Sequence, residues 1–309
     1  MKNNILDVKG LLVGQAENKE GKTGVTVVII PQGGVCGVDV RGSAPGTRET
    51  DLLDPINAIE KVNAVVLSGG SAFGLEAASG VMQYLEEKKL GFDVGPTTVP
   101  IVPQAVLFDL SYGDYRCRPD KKMGYQACEN ATDKMLEEGS VGAGCGATVG
   151  KLYDMQCCTK SGIGSFAQTL ENGITVGAII AVNAFGDVLE NGKIIAGTTN
   201  PEKTDFIDTE KTMLQMACTP SFHGKNTTIG IIATNASLTK AEAKKIAGMA
   251  HDGLARAIRP IHTTLDGDTL FCLSTGEIKT QKPIVDLIGT LAAKVTEQAV
   301  IRAVKKANS

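Results

Sequence analysis

The fold of this chain is organised around residues 225–232, which read Lys-Asn-Thr-Thr-Ile-Gly-Ile-Ile. A polar segment ends there and a β-branched apolar run begins, which predicts a buried strand from Thr228 to Ala233. If the Asn226–Thr227 bond were cut, Thr227 would carry a hydroxyl nucleophile and a free α-amine on one residue. Such an amine has an ordinary pKa of about 7.7–8.0 and can act as a built-in general base. The simpler interpretation, that Asn-Thr-Thr only begins a strand, is the one that the tripeptide alone favours.

The segment before this stretch strengthens the first interpretation. Residues 196–225 are mostly polar, with only a short helical pattern at 212–217. Clusters of polar and turn-forming residues between periodic segments are typical of linkers. A flexible linker directly before Asn226 is what scission of the chain would require.

The composition excludes several classes of function. The chain has 309 residues, 42% of them hydrophobic and 21% charged, as in a soluble globular protein. A net charge of -3 provides no electrostatic footprint for nucleic acid or an acidic membrane. The longest apolar runs, such as residues 178–182, are too short to span a bilayer. Residues 1–7 lack the apolar region of a signal peptide, so we expect a cytoplasmic protein.

Cysteine and histidine usage indicates neither disulfides nor a metal centre. The eight cysteines include no C-x-x-C pair, and Cys157 and Cys158 are adjacent, which is poor geometry for a bridge. We therefore expect free thiols. The three histidines have no ligand spacing, so we expect no metal and no other cofactor.

The order of the predicted elements favours an α+β fold. Residues 24–30 and 35–40 are predicted to form a hairpin across Pro-Gln-Gly-Gly, and residues 173–183 a second buried strand. Thr239 and Glu242 have the spacing of a capping box, and residues 284–303 form an amphipathic pattern. Strands and helices alternate only loosely, with hairpins between them. Stacked, antiparallel-rich sheets covered by helices are therefore predicted rather than a doubly wound parallel sheet.

A second hydroxyl, that of Ser71, lies in a glycine-rich turn between a predicted strand and helix. Residues 68–74 read Ser-Gly-Gly-Ser-Ala-Phe-Gly. A nucleophile elbow would need glycine where Phe73 stands, and the phosphate-binding glycine motifs are absent. A turn that lets the helix pack on its strand is the favoured interpretation.

Two further segments can present polar groups to a site. A glycine-rich segment at 139–151 ends at Lys151, and Asn183 ends the predicted strand at 173–183, where it is most simply a turn residue. Residues 265–272 place Asp266-Gly267-Asp268 between β-prone runs, which predicts a type I′ hairpin. The tip of such a hairpin would hold two carboxylates rigidly.

These motifs resemble those of the self-cleaving N-terminal-nucleophile hydrolases that include β-peptidyl aminopeptidases, L-aminopeptidase/D-esterases and nylon-oligomer (6-aminohexanoate-oligomer) hydrolases. The resemblance spans nearly the whole chain and is most specific at residues 69–77, 226–229 and 262–271. The last two stretches are most similar to the nylon-hydrolase branch. The resemblance implies a four-layer αββα sandwich of the self-processing type. It also implies a single hydrolase domain over residues 1–309, processed into a larger subunit, 1–226, and a smaller one, 227–309.

The resemblance also implies roles for individual residues. Thr227 is the nucleophile and Asn226 the last residue of the larger subunit, with two carboxylates beside the Thr227 amine and hydroxyl. Lys151 and Asn183 match the lysine and the oxyanion-side asparagine of the nylon hydrolases. A tyrosine that lines the site in the family is replaced by Phe108. The catalytic and substrate-binding set is therefore expected to be Thr227, Asp266, Asp268, Asn183, Lys151 and Phe108.

The implied activity is hydrolysis of amide bonds in short peptides, β-amino acid amides or nylon oligomers. The partners implied are a small peptide or oligoamide substrate and further copies of the chain, as a tetramer of processed subunit pairs. Acyl transfer of the ornithine acetyltransferase type is the alternative enzyme class, although its Ala-Thr-Met cleavage signature is absent. A binding scaffold without activity is the non-enzymatic alternative, and the intact set of polar residues argues against it.

Overall fold

The computed structural model describes residues 2–217, 226–279 and 284–309. Its strands are β1 (Leu12–Asn18), β2 (Thr23–Val40), β3 (Gly46–Arg48), β4 (Val62–Ser68), β5 (Phe92–Asp93), β6 (Thr98–Val99), β7 (Gln104–Val106), β8 (Thr148–Val149), β9 (Thr159–Lys160), β10 (Ile163–Thr169), β11 (Thr175–Asn183), β12 (Asp187–Glu190), β13 (Lys193–Ala196), β14 (Thr227–Ala236), β15 (Ile258–Arg259) and β16 (Thr269–Ile278). Its helices are α1 (Ala77–Glu87), α2 (Lys121–Glu129), α3 (Thr209–Met216), α4 (Lys240–Ala257) and α5 (Val285–Ala307).

Alternating side chains on the long strands divide the core into three apolar clusters. On β14, Ile229 and Ile231 belong to a central cluster that also contains Val65 of β4, whereas Ile232 packs with α4 and α5. On β4, Val66 belongs to a third cluster, with α1 and α2. Because successive side chains of a strand point to opposite faces, each sheet has one face on the central cluster and one on its helices. The layers are therefore helix, sheet, sheet, helix.

Strand β2 connects the two sheets and corrects the first predicted hairpin. Its first half pairs with β1 and β4, and its second half, from Val35 to Val40, pairs antiparallel with β16. Residues 24–30 and 35–40 are therefore parts of one long strand and not partners in a hairpin. The register against β4 shifts between Ile29 and Gly34. Pro31 and the left-handed Gly33 (φ 67°) lie within this break and let the strand pass from one sheet to the other.

The second predicted hairpin, at residues 265–272, is also wrong. Asp266 forms a parallel bridge with Asn226, and β16 then continues parallel to β14. Glycine stands at position 267 because neighbouring segments lie too close for a side chain, and not because the chain turns there. A Cβ at this position would lie 2.5 Å from the Ala44 carbonyl oxygen and 2.9 Å from the Thr227 hydroxyl oxygen. The Asp266-Gly267 pair therefore packs closely against neighbouring segments instead of forming a turn.

Helix α4 begins as the sequence predicts. The Thr239 side chain accepts the backbone N–H of Glu242, and the Glu242 carboxylate accepts the backbone N–H of Thr239 at 2.8 Å. This capping box satisfies donors that an open helix end would leave unpaired. None of the described helices is long and apolar enough to cross a membrane.

Sheet topology brings three strand ends together at one edge. Strand β14 lies between β11, which is antiparallel to it, and β16, which is parallel. Asn183, the last residue of β11, is the register partner of Thr227, the first residue of β14. Asp268 directly precedes β16 at the same edge. Residues far apart in the sequence therefore meet where β14 begins.

Candidate active site

The Asn226–Thr227 peptide bond lies at this edge and is closed to solvent. Asn226 is 1% exposed and Thr227 is 4% exposed. The Thr227 hydroxyl donates a hydrogen bond to the carbonyl oxygen of Asn226. The same oxygen accepts the backbone N–H of Gly267 at 3.0 Å. A hydroxyl group is thus held beside the carbonyl group of its own peptide bond, and a backbone N–H also donates to that oxygen.

Asp266 is held by donors from two segments. Its Oδ2 accepts the Thr263 backbone N–H at 2.9 Å and the Thr263 hydroxyl at 2.5 Å, and its Oδ1 accepts the Phe185 N–H at 3.4 Å. Burial, followed by the negative charge of Asp268, raises the pKa of Asp266 to about 6. The Asp266 carboxyl group can therefore gain or lose a proton at a pH just below neutral.

Asp268 is completely buried and bonded on both oxygens. Its Oδ1 accepts the backbone N–H of Thr228 at 2.7 Å. Its Oδ2 accepts the backbone N–H of His262 at 3.2 Å and lies 2.8 Å from His262 Nδ1. The Thr227 hydroxyl is directed to the Asn226 carbonyl rather than to either carboxylate, and the Thr227 nitrogen is still an amide. The expected contact of both carboxylates with a Thr227 amine therefore concerns the cleaved chain.

Asn183 and Lys151 form one buried polar unit. Asn183 Oδ1 accepts Lys151 Nζ at 2.7 Å and the Thr148 N–H at 3.1 Å. Because two donors surround that oxygen, the amide nitrogen faces the other way, where Nδ2 donates to the Phe108 carbonyl oxygen at 2.8 Å. Lys151 Nζ also donates to the Asn183 carbonyl oxygen at 3.1 Å. Burial lowers the pKa of Lys151 to about 7.

An apolar cluster adjoins these polar groups. It consists of Leu152, Phe185 and Leu265, with Ile207 and Met213 packed against it. Leu152 follows Lys151 in the chain, and Leu265 precedes Asp266. Met213 belongs to α3, so this helix packs against the apolar side of the site.

The structure thus brings together every residue of the expected set, with Phe108 represented by its backbone carbonyl. Sequence reasoning missed the donors that hold them: the N–H of Gly267, the ring of His262, the hydroxyl of Thr263 and the N–H of Thr148. His262 and Thr263 stand in the same short stretch as the two aspartates, which is the one signal that pointed to them. The remaining donors are backbone groups, which sequence letters do not mark.

The glycine turn at Ser71 has different surroundings. Asp109 Oδ1 accepts the Gly70 N–H at 2.7 Å, and its Oδ2 accepts the Thr23 hydroxyl at 2.7 Å. A Cβ on Gly69 would lie 1.9 Å from Asp109 Oδ2. The protein's own carboxylate therefore occupies the cradle that the turn would offer to an anion.

Within the described residues, no group of three or more histidine, cysteine, aspartate or glutamate side chains could hold a metal ion. The seven cysteines in the described segments are free thiols. Cys218 and His223 lie outside those segments.

Comparison with known proteins finds one family over nearly the whole chain. The profile of peptidase family S58 matches residues 3–309. An uncharacterized aminopeptidase of Mycobacterium leprae (strain TN) is 45% identical over 300 residues, which cover 90% of this chain and 80% of that protein. A 6-aminohexanoate-oligomer endohydrolase of Kocuria sp. (strain KY2) is 32% identical over 277 residues, which cover 88% of this chain and 75% of that protein.

Two solved structures share the fold. The β-aminopeptidase of a Burkholderia species superposes with a TM-score of 0.71 at 20% identity, over 98% of this chain and 86% of that one. The L-aminopeptidase D-Ala-esterase/amidase of Ochrobactrum anthropi, a variant of the Ntn-hydrolase fold, superposes with a TM-score of 0.75 at 18% identity, over 99% and 86%. The predicted α+β sandwich of the N-terminal-nucleophile type is confirmed.

Proposed function

Because the chain belongs to peptidase family S58 and is therefore a hydrolase of peptide or amide bonds, we propose that it becomes active by cutting itself between Asn226 and Thr227. Thr227 is then the N-terminal nucleophile for substrates. The observation that carries the proposal is the hydrogen bond from the Thr227 hydroxyl to the Asn226 carbonyl, which also accepts the Gly267 N–H.

Self-cleavage begins with attack of Thr227 Oγ1 on the carbonyl carbon of Asn226. The Gly267 N–H stabilises the negative charge that forms on the carbonyl oxygen; removing a donor of this kind costs about 2.7–4 kcal/mol of transition-state stabilisation. The carbon–nitrogen bond breaks, and the hydroxyl proton ends on the released Thr227 amine. Water then hydrolyses the ester, which restores the Thr227 hydroxyl and leaves a carboxylate on Asn226.

Turnover of substrate repeats this chemistry with a new amide. The Thr227 amine accepts the hydroxyl proton and passes it to the leaving amine. Asp266 and Asp268, on either side of Gly267, hold and orient that amine. Asn183 has a second Nδ2 proton beyond the one bonded to Phe108, and this proton is available to the oxyanion of the acyl-enzyme step.

Lys151 determines how Asn183 is presented. Its ammonium group bonds to both oxygens of Asn183, so the amide nitrogen stays directed away from it. With a pKa near 7, Lys151 can also exchange a proton at neutral pH. Its charge state then affects the proton affinity of the Thr227 amine.

Amides of short peptides, β-amino acids and 6-aminohexanoate oligomers are the proposed substrates. They are supported by the relatives, which are named as aminopeptidases and as an oligomer endohydrolase. The family resemblance implies an aspartate at position 266 in the oligomer-hydrolase branch and a serine there in the aminopeptidase branch. Asp266→Ser is therefore expected to keep part of the processing and to shift preference from oligomer amides toward short peptides.

The experiment is a time course of the purified protein, followed by intact mass and by hydrolysis of a peptide amide and a 6-aminohexanoate oligomer. Two fragments, 1–226 and 227–309, should appear as activity rises, and Thr227→Ser should retain both. A chain that stays uncut while it hydrolyses substrate contradicts the proposal. Adding an acceptor amine distinguishes hydrolysis from the alternative function, acyl transfer, because acyl transfer would yield a new amide instead of the free acid.

A further inference from the structure

We propose that His262 is a positioning residue that fixes the Asp268 carboxylate beside the nucleophile. The inference rests on the proposed role of Thr227 and adds to it a residue that does not touch the reacting atoms. It is carried by hydrogen bonds, backbone conformation and burial around His262.

His262 supplies two donors to one oxygen. Both its backbone N–H and its ring Nδ1 approach Asp268 Oδ2, at 3.2 and 2.8 Å. The other oxygen, Oδ1, accepts the N–H of Thr228, the residue directly after the nucleophile. With one oxygen held by His262 and the other by β14, the carboxylate cannot rotate. The plane of Asp268 is thereby set relative to Thr227.

The backbone of His262 is adapted to this contact. Its φ is 58°, in the left-handed region that only a few per cent of non-glycine residues adopt, asparagine, aspartate and histidine most often among them. Such a conformation costs on the order of 1–3 kcal/mol and persists where the surroundings hold it. Here it directs the backbone and ring donors of one residue to the same oxygen. Strain beside a buried carboxylate of the candidate site fits a functional constraint.

The contact with Asp268 Oδ2 assigns a ring proton to Nδ1 of His262, since a carboxylate oxygen accepts and the ring nitrogen must donate. Within the segments that the structure describes, His262 Nε2 is buried and has no hydrogen-bond partner. The ring packs edge-to-face on His251 of α4, with centroids 4.8 Å apart. Burial lowers the pKa of His251 to about 4, so this neighbour is neutral. The other charged groups around the pair are Asp268 itself, Asp39 at the end of β2, and Arg41.

His262 therefore acts as a fixed donor to Asp268, and its loss should affect chemistry more than binding. Without its ring, Oδ2 keeps only the longer backbone contact, at 3.2 Å, and loses the ring donor at 2.8 Å. A misplacement of about 1 Å in a catalytic group can cost about 100-fold in rate. We expect a loss of that size in kcat and in self-cleavage, with KM nearly unchanged, because the interaction acts through the transition state.

The test compares three substitutions at one position. His262→Gly accepts the left-handed backbone and removes the ring donor, and is expected to lose about 100-fold in both rates. His262→Asn also accepts that backbone and places an amide N–H near the position of Nδ1, so it should stay within about 10-fold of the parent. His262→Gln places its amide near Nε2 and should resemble His262→Gly. Asn191→Gly, at the exposed tip of the β12–β13 hairpin with φ 51°, is the matched control and should change nothing.

Added imidazole supplies a second readout. The His262 side chain is 18% exposed, so a free imidazole can enter the space left in His262→Gly and restore part of the rate. The same addition should not help Asp268→Ala. Thermal unfolding of each variant shows whether a slow variant is folded, and if His262→Gly folds poorly, the comparison of His262→Asn with His262→Gln still decides.

Two results would overturn the inference: parental kcat in His262→Gly, or a folded His262→Asn that is as slow as His262→Gln. Both are distinct from failure of the proposed function. That failure would appear as activity of Thr227→Ala in the same assays, whatever the His262 variants do.

Discussion

Two hydroxyl residues lie at the ends of buried strands and differ in their surroundings. Thr227 begins β14 and follows a stretch of polar sequence, whereas Ser71 lies in the glycine-rich turn after β4. The Thr227 hydroxyl bonds to the carbonyl of its own peptide bond, and that carbonyl also accepts the Gly267 N–H. Ser71 has a left-handed backbone, with φ 54°, as a nucleophile elbow would. Among the described residues, however, its hydroxyl has no acid or base as a hydrogen-bond partner.

The buried carboxylates near the two residues are also used differently. Asp109 is saturated by Thr23 and by the Gly70 N–H and stabilises the glycine turn. Asp266 and Asp268 flank Gly267, where an added Cβ would lie 2.9 Å from the Thr227 hydroxyl oxygen. The comparison shows that a strained hydroxyl in a sharp turn is not evidence of a nucleophile. Whether such a hydroxyl can act as a nucleophile depends on the acids, bases and hydrogen-bond donors around it.

The largest expected effect separates the two hydroxyls directly. Thr227→Ala should abolish self-cleavage and lower hydrolysis by about 10⁴-fold or more, as loss of a nucleophile does. Ser71→Ala should leave both rates at the parental level. The measurements are intact mass over time and hydrolysis of a peptide amide. Activity that survives in Thr227→Ala and disappears in Ser71→Ala would reverse the comparison.

The next effect separates the carboxylates. Asp266→Ala and Asp268→Ala should each slow cleavage and turnover by at least about 100-fold, the low end for removing a positioned acid–base partner. Asp109→Ala should instead lower the free energy of unfolding by about 1–3 kcal/mol, because it leaves two buried donors unpaired.

Urea unfolding in a Thr227→Ala background measures the stability of each carboxylate variant without self-cleavage. Hydrolysis of a peptide amide by the corresponding single variants measures turnover. Parental rates in both Asp266→Ala and Asp268→Ala would mean that residues 266–268 only shape the backbone.

A smaller effect concerns the buried Lys151. Its folded-state pKa of about 7 lies below the ordinary value of 10.5, so between pH 7 and 10.5 the unfolded chain binds more protons than the folded one. The stability that Lys151 contributes is then fully present above pH 10.5 and is lost as the pH falls through 7. Relative to Lys151→Met, the parent should gain up to about 1.4 kcal/mol of unfolding free energy per pH unit across this window.

This pH dependence is measured by urea unfolding of Thr227→Ala and of Thr227→Ala/Lys151→Met at pH 7, 8 and 9. Lys160→Met is the control, since burial lowers the pKa of Lys160 only to about 8 and its slope should begin one unit higher. Parallel pH curves for the parent and Lys151→Met would show that Lys151 is not buried as described.

The smallest effect is expected from metal and thiol reagents. The proposed chemistry uses hydroxyl, amine, carboxylate and amide groups, so a chelator or mild alkylation of thiols should change activity by less than about 2-fold. The assay is hydrolysis before and after dialysis against chelator, with an untreated sample beside it. Loss of activity that a divalent ion restores would show that the site contains a group that Thr227 and its neighbours do not account for.

The sequence predicted elements whose signals are local. The capping box at Thr239 and the buried strands ending at Asn183 and beginning near Thr227 all depend on side-chain spacing between residues close together in the chain. Sequence reasoning failed at residues 31–34 and 266–268. At 31–34, proline and glycine let a strand pass from one sheet to the other, and at 266–268 glycine leaves room for a neighbouring segment. Both situations require the same residue types as a turn, so the sequence pattern does not distinguish them.

By itself the sequence determined the layered α+β class, the polar composition of the residues before Asn226 and the residue types assembled for amide chemistry. It did so because periodicity and composition are properties of neighbouring residues. Only the tertiary structure decided that Asn183 pairs with Thr227, that the Gly267 N–H reaches the Asn226 carbonyl and that His262 holds Asp268. These contacts join separate strands through backbone donors, whose partners are set by sheet register and burial rather than by any single residue's identity.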